Sequence, residues 1–89
     1  MGPFEWDETK RRTNLDKHGV EFRWIDRFEW DHAFTRKDVR QDYGEERFVS
    51  IGRIDGRLFV VVWNRRGNRF RLISLRKANV REERLYEQS

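Results

Sequence analysis

The sequence predicts a small α+β domain in which an antiparallel sheet carries two N-terminal helices and one C-terminal helix. Residues 47–77 form a predicted three-strand meander, because Asp-Gly at 55–56 and Arg-Gly-Asn at 66–68 are turn sequences between runs of β-branched, aromatic and aliphatic residues. Helix-capping residues mark both ends of the chain, with Asp7 before the first helical segment and Asn79 before the last.

The middle strand of the meander is expected to lie at the centre of the sheet. Residues 58–63, Leu-Phe-Val-Val-Val-Trp, are apolar at both parities, whereas a half-solvated strand alternates. Alternation in the two flanking strands predicts that each has one face with both apolar and basic side chains: Arg47, Val49, Ile51 and Arg53 in the first, and Phe70, Leu72, Ser74 and Arg76 in the last. One side of the sheet should therefore be apolar at its centre and basic towards its ends.

The N-terminal part of the chain predicts a short strand and a polar helix. Residues 4–6 alternate like a strand, and Asp7 is a good N-cap for a helix from Glu8 to His18. Gly19 supplies the stop, because it can adopt the left-handed conformation that ends helices. One face of this helix carries Lys10, Asn14, Lys17 and His18.

The middle of the chain predicts a second short helix over residues 20–28, with Phe22, Trp24, Ile25 and Phe28 available to pack on the sheet. Residues 29–35 predict a short edge strand through Trp30 and Phe34, and residues 36–46 a charged loop that ends in Tyr43-Gly44-Glu45-Glu46. After Lys77, Asn79 and Glu82 have the spacing of a capping box at the start of the last helix.

Length and composition restrict the protein class. The chain of 89 residues suits a single domain, 1–89, whose core is enriched in aromatic side chains. The absence of cysteine excludes disulfides and thiolate metal sites, and two isolated histidines do not form a metal centre, so we expect no metal and no other cofactor. No apolar run is long enough to span a membrane and no signal peptide is evident, which predicts a cytoplasmic protein.

Charge is distributed unevenly along the chain. Residues 1–46 contain 9 Lys and Arg against 12 Asp and Glu, a balance of −3, whereas residues 47–89 contain 11 against 4, a balance of +7. The C-terminal half is therefore a plausible surface for a polyanion, although a soluble Arg-rich surface without a ligand is an equally good explanation of charge alone. Aromatic residues between the arginines favour nucleic acid, and the candidate RNA-binding residues are Arg65, Arg66, Arg69 and Arg71.

Several short motifs, in this order and spacing, resemble the BrnT family of type II toxins. They are Phe4-Glu5-Trp6-Asp7, Lys10, Asn14, Lys17-His18-Gly19-Val20 with Phe22, Tyr43-Gly44-Glu45 before Arg47, Ile51-Gly52, and Ser74-Leu75-Arg76-Lys77-Ala78 with Glu83 and Tyr86. The chain departs from the family pattern at Leu75, where alanine is common, and over residues 29–32.

The resemblance implies a RelE-like ribonuclease fold and growth arrest through RNA cleavage. It also implies neutralisation by a BrnA-type antitoxin, expected to have a ribbon-helix-helix fold, which binds operator DNA. A basic toxin surface needs a tight antagonist, and Trp24, Trp30 or Trp63 is a candidate apolar anchor for it. The alternative is that all three tryptophans lie in the core, which is the better explanation for Trp63.

The chemistry of metal-independent RNA cleavage selects the candidate catalytic residues. The reaction needs a base for the 2′-OH proton, cations for the charge on the transition state, and an acid for the leaving 5′ oxygen. DNA lacks the internal 2′-OH nucleophile. Histidine ordinarily titrates near neutrality, so His18 is a candidate acid or base. From the residues alone a solvated helix-end histidine is the simpler explanation, and the family resemblance makes the catalytic explanation equally good. His32 is expected to be a surface residue.

The candidate catalytic cluster consists of Lys10, His18, Arg47, Arg76 and Lys77, with Glu83 and Tyr86 in support. Arg47 and Arg76 belong to strands that could present two guanidiniums to one phosphate, or could form ordinary strand-end salt bridges. The two lysines could hold phosphates or exchange a proton, or could simply be solvated. Glu46 and Glu83 could act as bases or orient the arginines, and Tyr86 could stack on a base, donate a hydrogen bond or fill the core.

Two other functions fit the same residues. In a non-catalytic module that binds nucleic acid or a partner protein, the cations would only dock phosphates. In a structural subunit, the aromatic surface would complete a larger assembly.

Overall fold

The predicted meander is the centre of a five-stranded sheet in the computed structural model, which describes residues 3–39 and 45–89. The elements in chain order are β1 (Phe4–Glu5), α1 (Glu8–His18), two 3₁₀ helices (Phe22–Arg27 and Trp30–His32), β2 (Phe34–Lys37), β3 (Glu46–Ile54), β4 (Arg57–Arg66), β5 (Arg69–Lys77) and α2 (Val80–Glu87). The strand order is β1-β5-β4-β3-β2, so β4 is central, as its apolar sequence predicts. The α+β class and the single meander are confirmed.

Turn chemistry explains the tight β3–β4 hairpin. Asp55 and Gly56 have φ angles of 51° and 83°. Two consecutive positive φ angles are typical of the two-residue turn whose twist matches that of the flanking strands, and Asp and Gly are the residues that tolerate them. Gly67, with φ 59°, has the corresponding conformation in the β4–β5 turn.

The sheet differs from the prediction in two ways. It is mixed rather than antiparallel, because β1 pairs in parallel with β5, with Phe4 opposite Phe70. It also has a fifth strand, β2, which pairs with β3. The predicted edge strand over residues 29–35 is correct only from Phe34 onward, since residues 30–32 form a 3₁₀ turn and the strand continues to Lys37. Within the predicted loop, Tyr43 and Gly44 lie outside the described residues.

The predicted second helix is a 3₁₀ helix from Phe22 to Arg27. Its buried side chains, Phe22, Ile25 and Phe28, recur every third residue. A 3₁₀ helix has three residues per turn, so this spacing places all three side chains on one line facing the sheet. Phe28 packs so closely on β3 that a Cβ at Gly52 would lie 2.6 Å from its Cζ.

A β-bulge in β5 changes which side chains share a face. Val62 pairs with Ser74 but Trp63 pairs with Leu72, so one extra residue lies in β5 at this point. Leu72 and Leu75 are consequently both buried in the core, although they are three residues apart. The predicted common face of Phe70, Leu72, Ser74 and Arg76 is therefore wrong, because strict alternation assumes an uninterrupted strand.

The two faces of the sheet have different coverings. One face packs against α1 and the first 3₁₀ helix and forms the core, where Trp63 stacks on Phe48 with ring centroids 4.5 Å apart. Trp63 also donates a hydrogen bond from Nε1 to Ser50 Oγ at 2.9 Å. Its burial rules it out as an anchor for a partner protein, whereas Trp24 and Trp30 are half-buried against the core.

The opposite face is apolar at its centre and basic at its margin, as predicted. Val60 is buried there, and Arg76 lies directly opposite it on β5. The last helix, α2, borders this face and has no buried residue of its own. Its start is the predicted capping box between Asn79 and Glu82. Within the part of the chain that is described, no helix has the length and apolar character required to cross a membrane.

Candidate functional site

A cleft of about 320 Å³ separates α1 from the outer edge of β5. We call it the α1–β5 cleft; its lining residues are Thr9, Lys10, Thr13, Asn14, Lys17, His18, Ile73 and Ser74. The helix presents this polar face because Asp7 and Gly19 fix its two ends: Asp7 accepts a hydrogen bond from Thr9 N at 2.7 Å, and Gly19 has φ 67°. Lys10, Lys17 and His18 give the cleft a concentration of cationic and proton-accepting groups.

Asn14 holds α1 against β5. Its Nδ2 donates to Leu75 O at 2.8 Å and to Val20 O at 3.1 Å, and its Oδ1 accepts from Leu75 N at 3.1 Å. It is the buried residue of an otherwise polar helix. A polar helix has little apolar surface with which to dock, so this side chain and the helix caps determine where the cleft residues lie.

His18 is half-buried at the C-terminal end of α1. Burial lowers the pKa of its imidazole, and the charges of Lys17 and Arg76 lower that pKa further. Arg76 lies on β5, so the two residues belong to different elements that the fold brings within electrostatic range. His18 is therefore mainly neutral at neutral pH and suited to accept a proton.

Arg76 forms a bidentate ion pair with Glu82 of α2. Its Nη1 donates to Glu82 Oε1 at 2.8 Å and its Nη2 donates to Glu82 Oε2 at 2.6 Å. This hydrogen bonding raises the pKa of Arg76 and lowers the pKa of Glu82. The guanidinium is thus a permanent positive charge in a fixed orientation.

A second groove lies on the α2 side of the sheet. We call it the valine groove; its volume is about 320 Å³ and its lining residues are Arg36, Lys37, Asp38, Val39, Val49, Val60, Val62, Arg76 and Glu82. Arg76 lines this groove, and Ser74, two residues earlier on the same strand, lines the α1–β5 cleft. The cleft and the groove are therefore lined by neighbouring residues of β5, and Arg76 belongs to the lining of the groove.

Other predicted catalytic residues do not line the α1–β5 cleft. Arg47 shares the valine-groove face with Arg76, but the strand pairings place their Cα atoms about 16 Å apart. Lys77 pairs with Phe59 and so points to the opposite face from Arg76; with Glu83 and Arg57 it lines a separate depression of about 270 Å³.

Tyr86 connects α2 to the rest of the molecule. Its hydroxyl donates to His32 O at 3.1 Å, and the Arg53 guanidinium lies 5.5 Å from its ring centroid. It is half-buried beside the sheet, and His32 is exposed, as expected of a surface residue.

The predicted RNA-binding arginines are all engaged in ion pairs near the β4–β5 turn. The pairs are Arg65–Glu46 at 2.8 Å, Arg66–Glu45 at 3.0 Å, Arg69–Glu5 at 2.8 Å and Arg71–Glu5 at 3.6 Å. Hydrogen bonding to Arg69 lowers the pKa of Glu5, and hydrogen bonding to Arg65 lowers the pKa of Glu46. We call these four arginines the hairpin cluster. Measured along β4, its members lie about 13–20 Å from Val60, the residue opposite Arg76.

The structure adds residues that sequence reasoning did not place in the site. The sequence indicated Glu82 only as a capping residue. Its ion pair with Arg76 was not predictable, because a spacing of six residues across a turn follows no helix or strand period. Ser74 and Lys17 join His18 through the α1–β5 cleft. Lys17 was visible on the predicted helix face, but no sequence signal links that face to β5.

Comparison with known proteins identifies one family. Residues 6–82 match the family described as "Ribonuclease toxin, BrnT, of type II toxin-antitoxin system". The matched range includes the whole α1–β5 cleft and Glu82, whereas Glu83 and Tyr86 follow it. No curated protein sequence matches the chain.

Proposed function

Since the chain belongs to the BrnT family of ribonuclease toxins of type II toxin–antitoxin systems, we propose that it cleaves RNA without a metal ion at the junction of the α1–β5 cleft and Arg76. Membership in the family supports an RNA target and an antitoxin partner. The observation that carries the proposed location is that His18 lines the α1–β5 cleft together with Ser74, and that Arg76, a cation oriented by Glu82, lies two residues after Ser74 on the same strand. The charge of Arg76 also contributes to the lowered pKa of His18.

In the proposed reaction, the ribose 2′ oxygen attacks the adjacent phosphorus and the bond to the 5′ oxygen breaks. His18 accepts the 2′-OH proton, for which its lowered pKa suits it. The 5′ oxygen leaves as an alcohol after taking up a proton, and Lys10 in the same cleft is the candidate donor. The products are a 2′,3′-cyclic phosphate and a free 5′-OH end.

We assign Arg76 the role of stabilising the charge of the transition state. Negative charge grows on the non-bridging phosphate oxygens as the 2′ oxygen attacks, and a guanidinium held in place stabilises it without reorganising. Lys17 adds positive potential along the cleft for the neighbouring phosphates. We assign Arg47, Lys77, Glu83 and Tyr86 to substrate docking or to holding α2, because they lie outside the cleft.

The cellular role follows from the family. Cleavage of RNA would arrest growth in the cytoplasm, and a BrnA-type antitoxin of the ribbon-helix-helix class would neutralise the chain and bind operator DNA. The proposed fold relationship is to RelE-like ribonucleases, whose small α+β architecture is compatible with the sheet described above.

The decisive experiment is incubation of purified protein with an RNA oligonucleotide and its DNA counterpart in EDTA. We expect cleavage of the RNA alone, with cyclic phosphate ends, and no cleavage by the His18→Gln variant. RNA that stays intact with folded wild-type protein, free and on ribosomes, would instead favour the non-catalytic binding module. Cleavage that requires added Mg²⁺ would contradict metal independence.

A further inference from the structure

The ion pair between Arg76 and Glu82 differs from an ordinary surface salt bridge in its hydrogen bonding and its partial burial. Two parallel hydrogen bonds of 2.8 and 2.6 Å join the guanidinium to the carboxylate. The side chains of Arg76 and Glu82 are only 33% and 18% exposed. Such geometry costs side-chain entropy and partial desolvation, and its two parallel bonds fix the orientation of the guanidinium.

Glu82 is itself fixed by the start of α2. Its Oε1 accepts a hydrogen bond from Asn79 N at 2.9 Å, and its backbone N donates to Asn79 Oδ1 at 2.9 Å. The same Oε1 accepts from Arg76 Nη1. The backbone N–H of Asn79, which does not depend on the Asn79 side chain, therefore orients the carboxylate, and the carboxylate orients the arginine.

The Glu82 carboxylate accepts hydrogen bonds from one edge of the Arg76 guanidinium. Arginine has five N–H donors, and its contacts with Glu82 and with Lys77 O, at 3.3 Å, use two on Nη1 and one on Nη2. Nε–H and the second Nη2–H form another two-donor edge, which matches two oxygens of a phosphate. A phosphate can thus bind Arg76 without displacing Glu82.

We propose that Glu82 is a positioning residue that holds the Arg76 guanidinium so that its Nε–Nη2 edge receives the scissile phosphate. This inference rests on the proposed ribonuclease function and adds a residue to it. A preorganised cation stabilises transition-state charge better than one that must first be ordered. Loss of Glu82 should therefore slow the chemical step more than it weakens RNA binding.

The Glu82→Gln variant separates positioning from capping. Glutamine at this helix position still completes a capping box, but it offers one acceptor oxygen and no charge to Arg76. Asn79→Ala is the matched control, because it removes the side chain that caps α2 and leaves the carboxylate present. Both variants are compared with wild type in steady-state cleavage of one RNA oligonucleotide at varied concentration, which gives kcat and KM, with thermal unfolding measured in parallel.

We expect Glu82→Gln to lower kcat by about ten- to a hundredfold with KM changed less than about threefold, and Asn79→Ala to keep kcat within about threefold of wild type. Combining Glu82→Gln with Arg76→Ala should add no further loss to that of Arg76→Ala alone, because Glu82 acts through Arg76. A purely structural Glu82 would give additive losses and equal effects in the two single variants.

The outcomes separate this inference from the proposed function. If wild type cleaves RNA and Arg76→Ala does not, a Glu82→Gln variant with wild-type kcat overturns the positioning role alone. A Glu82→Gln variant faster than wild type overturns it too and makes Glu82 an inhibitory clamp. Wild-type protein that cleaves no RNA overturns the proposed function and the positioning role together.

Discussion

The side-chain amide of Asn14 bonds to both backbone groups of Leu75, with Nδ2 donating to Leu75 O at 2.8 Å and Oδ1 accepting from Leu75 N at 3.1 Å. An amide side chain thereby takes the place of a neighbouring strand at the outer edge of β5. Helix α1 has almost no apolar surface to bury, and this contact fixes it against the sheet. The position of the α1–β5 cleft therefore depends on this side chain together with the two helix caps.

We expect Asn14→Ala to destabilise the fold by about 2–4 kcal/mol. The substitution leaves the N–H and C=O of Leu75 without their buried partner, and an unsatisfied buried group costs about 1–3 kcal/mol. Asn14→Asp should be no better, because a carboxylate cannot donate to either carbonyl and would be buried with its charge. Urea unfolding followed by tryptophan fluorescence measures both. Asp16→Asn on the exposed side of α1 is the control and should change stability by less than about 0.5 kcal/mol.

The sequence was a good guide wherever a local rule determined the structure. Asp7, Gly19, Asn79 and the Asp-Gly turn each satisfy backbone groups within a few residues, so their roles were predictable without the fold. The short helix predicted over residues 20–28 is present at Phe22–Arg27, but its 3₁₀ type was not predictable, because apolar residues three apart suit both helix types until packing selects one. The bulge in β5 was not predictable, since it is the register with β4 that creates it.

The candidate site was only partly predictable for the same reason. Lys10, Lys17 and His18 share a helix face by periodicity alone, and that face does line a cleft. The closeness of His18 to Arg76, and of Arg76 to Glu82, depends on how α1 and α2 dock on β5. The pairing of the hairpin-cluster arginines with Glu5, Glu45 and Glu46 likewise depends on strand register. The sequence therefore suggested a surface of unneutralised positive charge, whereas the fold pairs these arginines with carboxylates.

Arg76→Ala should lower RNA cleavage by about two orders of magnitude, comparable to about 2.7 kcal/mol of lost transition-state stabilisation. Arg76→Lys should restore little of it, because lysine keeps the charge but lacks the planar two-donor edge. The cleavage rates of wild type and both variants are compared in single-turnover experiments on one RNA oligonucleotide. Circular dichroism verifies that each variant is folded. Full activity in the lysine variant would mean that only a point charge is needed at this position.

The pH dependence of cleavage should report His18. Its pKa is lowered from the ordinary 6.5 chiefly by burial, with Lys17 and Arg76 adding to the effect. As a base it must be neutral, so kcat/KM should rise with pH to a plateau, with a midpoint below 6.5. Lys17→Gln removes one of the lowering charges and should move the midpoint upward. NMR titration of the imidazole, assigned by its loss in His18→Gln, checks the same value independently of activity.

The same shift predicts the sign of a stability effect. The unfolded chain takes up the His18 proton at a higher pH than the folded chain, so stability should fall as the pH drops through 6.5 towards the lowered folded pKa. In the His18→Gln variant this part of the pH dependence should disappear. Unfolding free energies measured across this pH range in both proteins test the sign, and a wild-type chain that becomes more stable with acid in this range, relative to the variant, would contradict it.

Substrate binding should depend more on the α1–β5 cleft than on the hairpin cluster. Lys10→Gln combined with Lys17→Gln removes two cations from the cleft, whereas Arg66→Gln combined with Arg69→Gln removes two that already pair with Glu45 and Glu5. We expect the first pair to raise KM at least about tenfold and to flatten its salt dependence, and the second pair to change KM less than about threefold. Equal effects would show that the hairpin ion pairs open to bind RNA.

The antitoxin should inhibit by covering the valine groove and Arg76, and its binding should include an apolar component. Exposed ion pairs contribute only about 0–1 kcal/mol each, too little for a tight antagonist that relied on charge. Trp63 is buried, but Val39 beside the groove and Val80 and Leu85 on α2 are 77%, 62% and 38% exposed. We therefore expect the complex with the product of the adjacent antitoxin gene to persist at about 0.5 M salt, where screening limits charge attraction to a few ångströms.

Two pairs of substitutions on α2 separate the apolar contribution from the charge contribution. Val80→Glu with Leu85→Glu should weaken the complex and restore cleavage, whereas Arg81→Glu with Arg84→Glu, which alters charge on the same helix, should weaken it only at low salt. Dissociation and cleavage are followed together, and equal cleavage by the free and the bound chain would show that the antitoxin does not act by occlusion.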